Sequence, residues 1–306
     1  FCEVKGFLFF SFVLYFTTFP SPLLAMFFIL VTSSIVYFKS AEEGVEREKE
    51  RENSMELLPE RINLDYNRGL VYQLWKLDPS KEAYLALVKQ IRISRSGKIF
   101  RLFENYPLEL LTRTPWYVIP AWLPVVGYLL WAAGVAGMPV FSAGYLFSFG
   151  FLAWTLLEYL LHRFLFHLDA LLPAGRGWLV GHFLLHGIHH HLPADRMRLV
   201  FPPVLSIPVA GVLYSLLAVL FAANKARVIM AGGLFGYVCY DLIHYYLHHG
   251  QPSTMIKYFS DMRQYHRAHY FMDSGEGFGI SSKLWDVVFG TTIQVSSADK
   301  GVTKEK

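Results

Sequence analysis

The chain has 306 residues, of which 54% are hydrophobic and 17% aromatic, with a formal net charge of only +4. That is too apolar for an ordinary soluble domain, and with no basic run set among aromatics it excludes a nucleic-acid partner. The two cysteines, Cys2 and Cys239, lie far apart in apolar surroundings, which excludes a disulfide framework and a cysteine-based metal site.

In chain order, the first element is an apolar block at 6–38, split by Pro20 and Pro22 into pieces short for a full crossing. One tilted span, a re-entrant hairpin or an uncleaved signal all fit it. A charged stretch, KSAEEGVEREKERENS, follows as a solvated linker or exposed helix, and residues 1–60 form one unit of the reading. Residues 61–116 are mixed and amphipathic, with interfacial aromatics and basic residues such as Lys98 and Arg101, and suit a membrane-surface segment. Two spans start at Tyr117 and Val140, joined by the uncharged Met138-Pro139. A second pair starts at Leu199 and Val228, with Asn224-Lys225-Ala226-Arg227 between them. The expected fold is therefore an all-α integral membrane protein of two helical hairpins, with four spans and room for a fifth at the N-terminus. Residues 117–293 form the core of this reading and 294–306 a polar tail.

Hairpins return the chain to the side it left, so 98–113, 162–198 and the stretch from His244 onward share one face. Near the spans, Lys98, Arg101, Arg113, Arg163, Arg196, Arg198, Lys257, Arg263 and Arg267 lie on that face, against Lys225 and Arg227 on the other. By the positive-inside rule the first face is cytosolic.

All 12 histidines fall between His162 and His269, at or just beyond the cytosolic ends of spans. His162 and His167 flank RFLF; His186, His189 and His190 form His-x-x-His-His; His244 and His248 form His-x-x-x-His; His266 and His269 form His-x-x-His. Positions three or four apart share a helical face, so each of the last three boxes is expected to aim at one point. Residues five apart diverge by about 140° on an α-helix. His162 and His167 should then serve different metals, unless the helix ends between them. Nine imidazoles exceed the roughly six donors one ion takes, which predicts two metals. His182, His191 and His249 fit the pattern less well and are read as supporting or surface residues.

Glu158 precedes His162 by one turn and Asp241 precedes His244 by three residues, so both are candidates to orient ligand imidazoles. All-histidine sites suit iron, zinc or copper and disfavour magnesium and calcium. Transport needs polar groups at mid-bilayer, of which these spans offer almost none. Hydrolysis stays open, and oxygen activation at two irons would suit a lipid carbon at the membrane surface.

Four strings carry a resemblance: EYLLHRFLFH, LHGIHHHLPADRMRLVFPP, GYVCYDLIHYYLHHG and GFGISSKLWDVVFGT. Together they closely resemble the fatty acid 2-hydroxylases of sphingolipid synthesis, within the membrane fatty acid hydroxylase and sterol desaturase superfamily, over roughly residues 64–292. The resemblance makes 117–293 the catalytic domain. It implies an oxygen-dependent monooxygenase of the endoplasmic reticulum membrane that 2-hydroxylates long and very-long-chain acyl groups, free or in ceramide. Electrons would come from cytochrome b5 to a dimetal centre of iron, although structures in the family hold zinc. The implied ligands are His162, His167, His186, His189, His190, His244, His248, His266 and His269. Many relatives also carry a haem-binding cytochrome b5 domain. No histidine precedes His162 to bind a haem, so the donor is expected to be a separate cytochrome b5, unless a fused domain lies outside this sequence.

The last family box reads His-x-x-His-His, whereas this chain has HRAHY, with Tyr270 in the final place. A tyrosine there can bind iron as phenolate, leave the position to water, or impair the centre. The alternatives to an acyl 2-hydroxylase are a sterol or alkane oxygenase of the superfamily, or a zinc-binding homologue impaired at Tyr270.

Overall fold

The computed structural model describes residues 62–93, 99–168, 171–251, 256–271 and 275–293, all within one compact unit that begins at Pro59. The apolar block at 6–38, the charged linker, the fifth span and the tail from 294 fall outside the described residues. Every regular element among those residues is helical.

Two short helices, α1 (Leu70–Leu77) and α2 (Lys81–Lys89), open the described chain. The Ser80 side chain accepts from the Ala83 N–H and so starts α2. Their apolar positions Leu70, Leu74, Tyr84 and Leu87 pack with Leu179, Phe183 and Ile188. This apolar face is therefore turned into protein rather than toward lipid. Next, α3 (Tyr106–Thr112) is capped by Asn105 and buries only Glu109. Its Leu108, Leu110 and Leu111 stand exposed beside the start of the first span.

A 3-10 turn at Trp116–Trp122 runs into α4 (Leu123–Val135), and α5 (Val140–Leu161) follows after a sharp link. The second pair is α8 (Pro203–Leu220) and α9 (Ala223–His249). Trp116–Val135, Val140–Phe166, Pro203–Leu220 and Ala223–His249 are each long and apolar enough to cross a membrane. The protein is thus a multi-pass, all-helical membrane protein. Two boundaries differ from the sequence expectation. Pro202 stays extended, so the third span starts at Pro203 and not at Leu199. Asn224–Arg227 is not a link but the first turn of α9, where the Arg227 side chain donates to Asn224.

Helix α9 is the centre of the bundle: 61% of its apolar window is buried, against 6% for the spans of α5 and α8. Glycine makes this possible where α5 and α9 cross. A Cβ on Gly150 would lie 2.0 Å from the Ile229 carbonyl oxygen, and one on Gly232 equally close to that of Phe147. Only backbones without side chains approach so closely. The second and fourth spans have 27 residues each. Each is about 40 Å long, while the hydrocarbon layer is about 30 Å thick. The histidines of both helices lie toward their C-terminal ends, His162 in the second and His244, His248 and His249 in the fourth.

Candidate metal centre

On a continuing α-helix His162 and His167 would diverge to different metals, unless the helix ended between them; the structure ends the α-helix at Leu161 and brings the two together. Beyond Leu161 the helix widens into a π turn, His162–Phe166, and the His167 N–H donates to the His162 carbonyl at 3.1 Å. A π turn repeats every five residues or so, which brings positions i and i+5 together. The two Nε2 atoms end 3.2 Å apart, in one group. A second π turn, Phe183–Gly187, lies between α6 (Arg176–His182) and the short α7 (Ile188–His191) and presents the second box.

The rings gather into two groups with metal-ligand geometry: His162, His167, His190 and His269 in one, and His189, His244, His248 and His266 in the other. His186 joins the first, with its Nε2 3.2 Å from that of His167. Two boxes are therefore split, contrary to expectation. His189 leaves His186 and His190 and meets His244, Nε2 to Nε2, at 3.2 Å. On α10 (Lys257–Phe271) His266 reaches His244 and His248 at 3.1 and 2.9 Å, while His269 reaches His167 at 2.9 Å. One helix serves both groups because its neighbouring rings diverge into separate clusters.

Ring protons alone cannot account for this arrangement. His162 Nδ1 donates to the Phe278 carbonyl and His269 Nδ1 to that of Glu276, each at 2.6 Å. Since a carbonyl only accepts, both Nε2 atoms are bare lone pairs in the neutral ring. His167 has a single Nε2 proton and cannot satisfy both. His190 Nε2 is buried with no hydrogen-bond partner. A cation among these nitrogens resolves every contact, so the donor set fits a metal in each group. Burial first, and then the neighbouring imidazoles, hold His167, His186, His189, His190 and His266 well below the ordinary histidine value. They are thereby neutral at physiological pH, the form in which an imidazole can accept a metal. A cavity of about 30 Å³ adjoins His167, His186, His190 and Tyr270, room for about one water-sized molecule.

The carbonyls that orient His162 and His269 belong to a loop organised by Asp286 on α11 (Leu284–Phe289). The fully buried Asp286 accepts from the Phe278 and Gly279 N–H groups at 2.9 and 2.8 Å, and from Thr291 Oγ1 at 2.8 Å. A Cβ on Gly279 would lie 2.6 Å from the Asp286 carboxylate, so this wrap requires glycine. Asp286→Ala should free the loop and lower metal affinity about 10–100-fold. Metal content after dialysis against a chelator reads this, and retention equal to the parent protein would contradict it.

Glu158 and Asp241 do not hold imidazoles in the way the sequence suggests. Glu158 accepts from the Ser281 hydroxyl, in the same orienting loop, and Asp241 from the Tyr237 hydroxyl and the Phe201 backbone. Backbone carbonyls take the ring protons instead. His182 is occupied on both nitrogens, by Tyr84 at 2.7 Å and the Phe166 carbonyl at 2.8 Å, and His191 meets Tyr66. Sequence reasoning missed Asp286, whose only signal was an acid inside the apolar run LWDVVF.

A bundle of membrane-spanning helices holding two buried imidazole clusters at the ends of its long helices defines a class of membrane metalloprotein. The family model for fatty acid hydroxylase matches residues 147–291. The dihydroceramide fatty acyl 2-hydroxylase FAH2 of Arabidopsis thaliana is 43% identical over 246 residues, covering 80% of this chain and 99% of that protein. The ceramide very long chain fatty acid hydroxylase SCS7 of Saccharomyces cerevisiae is 44% identical over 230 residues, 74% of this chain and 58% of the yeast protein. A solved structure of full-length Scs7p, with only the hydroxylase domain visible, aligns with a TM-score of 0.71 at 42% identity, covering 76% of this chain and 86% of that one. The chain belongs to the fatty acid hydroxylase family, on its fatty acid 2-hydroxylase branch.

Proposed function

We propose that this protein 2-hydroxylates long and very-long-chain fatty acyl groups, free or within ceramide, for sphingolipid synthesis. The carrying observation is the pair of imidazole groups gathered at the C-terminal ends of α5 and α9, two helices long and apolar enough to cross a membrane, which would set the groups near its surface. In a membrane lipid the carbon next to the acyl carbonyl lies where the polar head meets the apolar tail. A mid-chain carbon lies deeper. The names of the relatives support the same position of attack.

The reaction inserts one oxygen atom of O2 into the C–H bond beside the carbonyl, and two electrons and two protons reduce the other to water. His162, His167, His186, His190 and His269 would hold one metal, and His189, His244, His248 and His266 the other. Bound iron supplies the redox chemistry that activates O2, which zinc, having no redox chemistry, does not. The Glu276 and Phe278 carbonyls fix the tautomers of His269 and His162 and keep their Nε2 lone pairs aimed inward. Glu158 acts one step further out, holding Ser281 and through it the loop. The lipid-facing surfaces of the spans lay the acyl tail alongside the site. Electrons come from cytochrome b5 as a separate protein, and the histidine face looks into the cytosol from the endoplasmic reticulum membrane. The excess of basic residues on that face supports the orientation.

Expression with cytochrome b5 and its reductase, in cells that lack 2-hydroxy lipids, should produce 2-hydroxy acyl sphingolipids detectable by mass spectrometry. Absence of product from a chain that holds two metals would favour a homologue impaired at Tyr270.

A further inference from the structure

We propose that the Tyr270 phenol oxygen is the fifth donor of the second metal position, so that this protein builds two unlike sites, one of five imidazoles and one of four imidazoles and a phenolate. The proposal rests on the two-metal reading above. Its basis is a count of converging donors. The first group has a fifth nitrogen, His186 Nε2, beside His167. The second group is His189, His244, His248 and His266, and the further polar atom that reaches it is the Tyr270 hydroxyl, which meets His189 Nε2.

The ring placement agrees. The phenol lies edge-on to His189, His248 and His266, with centroids 5.4, 5.5 and 5.0 Å away. Its face is stacked on His190 of the first group at 4.2 Å and 11°. Tyr270 therefore touches both groups, its oxygen on one and its π-face on the other. Its position on α10 follows from His266 by four residues, one helical turn, which sends the hydroxyl toward the group that His266 serves. On coordination the phenol O–H breaks, the proton leaves to solvent and the oxygen lone pair bonds the metal, as ligand deprotonation generally accompanies metal binding. The second metal then carries one anionic, harder oxygen donor and the first carries none, so the two ions differ in preference and in electron density.

The test is spectroscopic. Purified protein loaded with iron and oxidised to the ferric state by an outer-sphere one-electron oxidant should show a visible tyrosinate-to-iron charge-transfer band. Resonance Raman excited in that band should show tyrosinate ring modes. Tyr270→Phe keeps the ring stack on His190 and should abolish both signals; Tyr270→His should abolish them while retaining two irons. A parent protein with two irons and no band would overturn the proposal and leave the two-metal reading standing, as would a band that survives Tyr270→Phe. Failure of the parent protein to hold two irons would strike the underlying reading and this proposal with it.

Discussion

His167→Ala should reduce the metal content from two ions per chain to one and lower 2-hydroxylation at least about 100-fold, the upper range seen when even the outer partners of metal ligands are lost. His167 is the hub of the first group: its Nε2 lies 3.2 Å from His162, 3.2 Å from His186 and 2.9 Å from His269. His266 holds the same place in the second, close to His244 and His248. His266→Ala should therefore remove the other ion and leave the first. Metal analysis of the two variants, beside product assays, distinguishes two separate sites from one diffuse histidine patch. Equal metal content in both variants and the parent would contradict the division.

The second large effect is on stability. Glu109→Ala should destabilise the fold by about 3–5 kcal/mol, the usual cost of leaving a buried charge without its partner. The Glu109 and Arg198 side chains are 2% and 3% exposed, with Oε1 and Nη2 2.5 Å apart. Glu109 also accepts from the Leu102 and Phe103 N–H groups and from Arg113. Arg198 further donates to Thr112 and the Phe100 carbonyl. This network pins the loop after the second histidine box to α3. Burial alone would raise the Glu109 carboxyl, but the Phe103 N–H, the Arg198 charge and the Leu102 N–H together hold it below the ordinary glutamate value. A depressed folded value means the contribution is complete above the unfolded value and fades as pH falls through the folded one. The gap in thermal unfolding between the parent and Glu109→Ala, measured in detergent, should be wide at neutral pH and narrow in acid. A gap unchanged with pH would show that Glu109 is not held ionised by Arg198.

The spans were legible in the sequence because lipid exposure imposes a continuous apolar run, and a run of that length has few other uses. The histidines were legible because four clusters at ligand spacing stand together on one face. Their partition was not. Helical spacing assumes 3.6 residues per turn, and the π turn at His162–Phe166 breaks that assumption at the residue pair where it mattered. His189 and His190, adjacent in the chain, go to different groups because rings from α9 and α10 close around the first and rings from the end of α5 and from α10 around the second, and sequence spacing says nothing of what arrives from elsewhere. Backbone acceptors escaped for a related reason. A carbonyl such as that of Phe278 carries no side-chain signature, so the plausible carboxylates Glu158 and Asp241 stood in its place. Arg198 reads in sequence as one more cytosolic cation, and its burial against Glu109 depends on a contact across 89 residues.

The measurement that bears most directly on this account is the fate of isotopically heavy dioxygen in a reaction with purified protein, iron, cytochrome b5 and its reductase. The account predicts one heavy oxygen in the 2-hydroxyl of the acyl product, with none drawn from heavy water. Protein that holds both metals yet forms no labelled 2-hydroxy acyl lipid would contradict it.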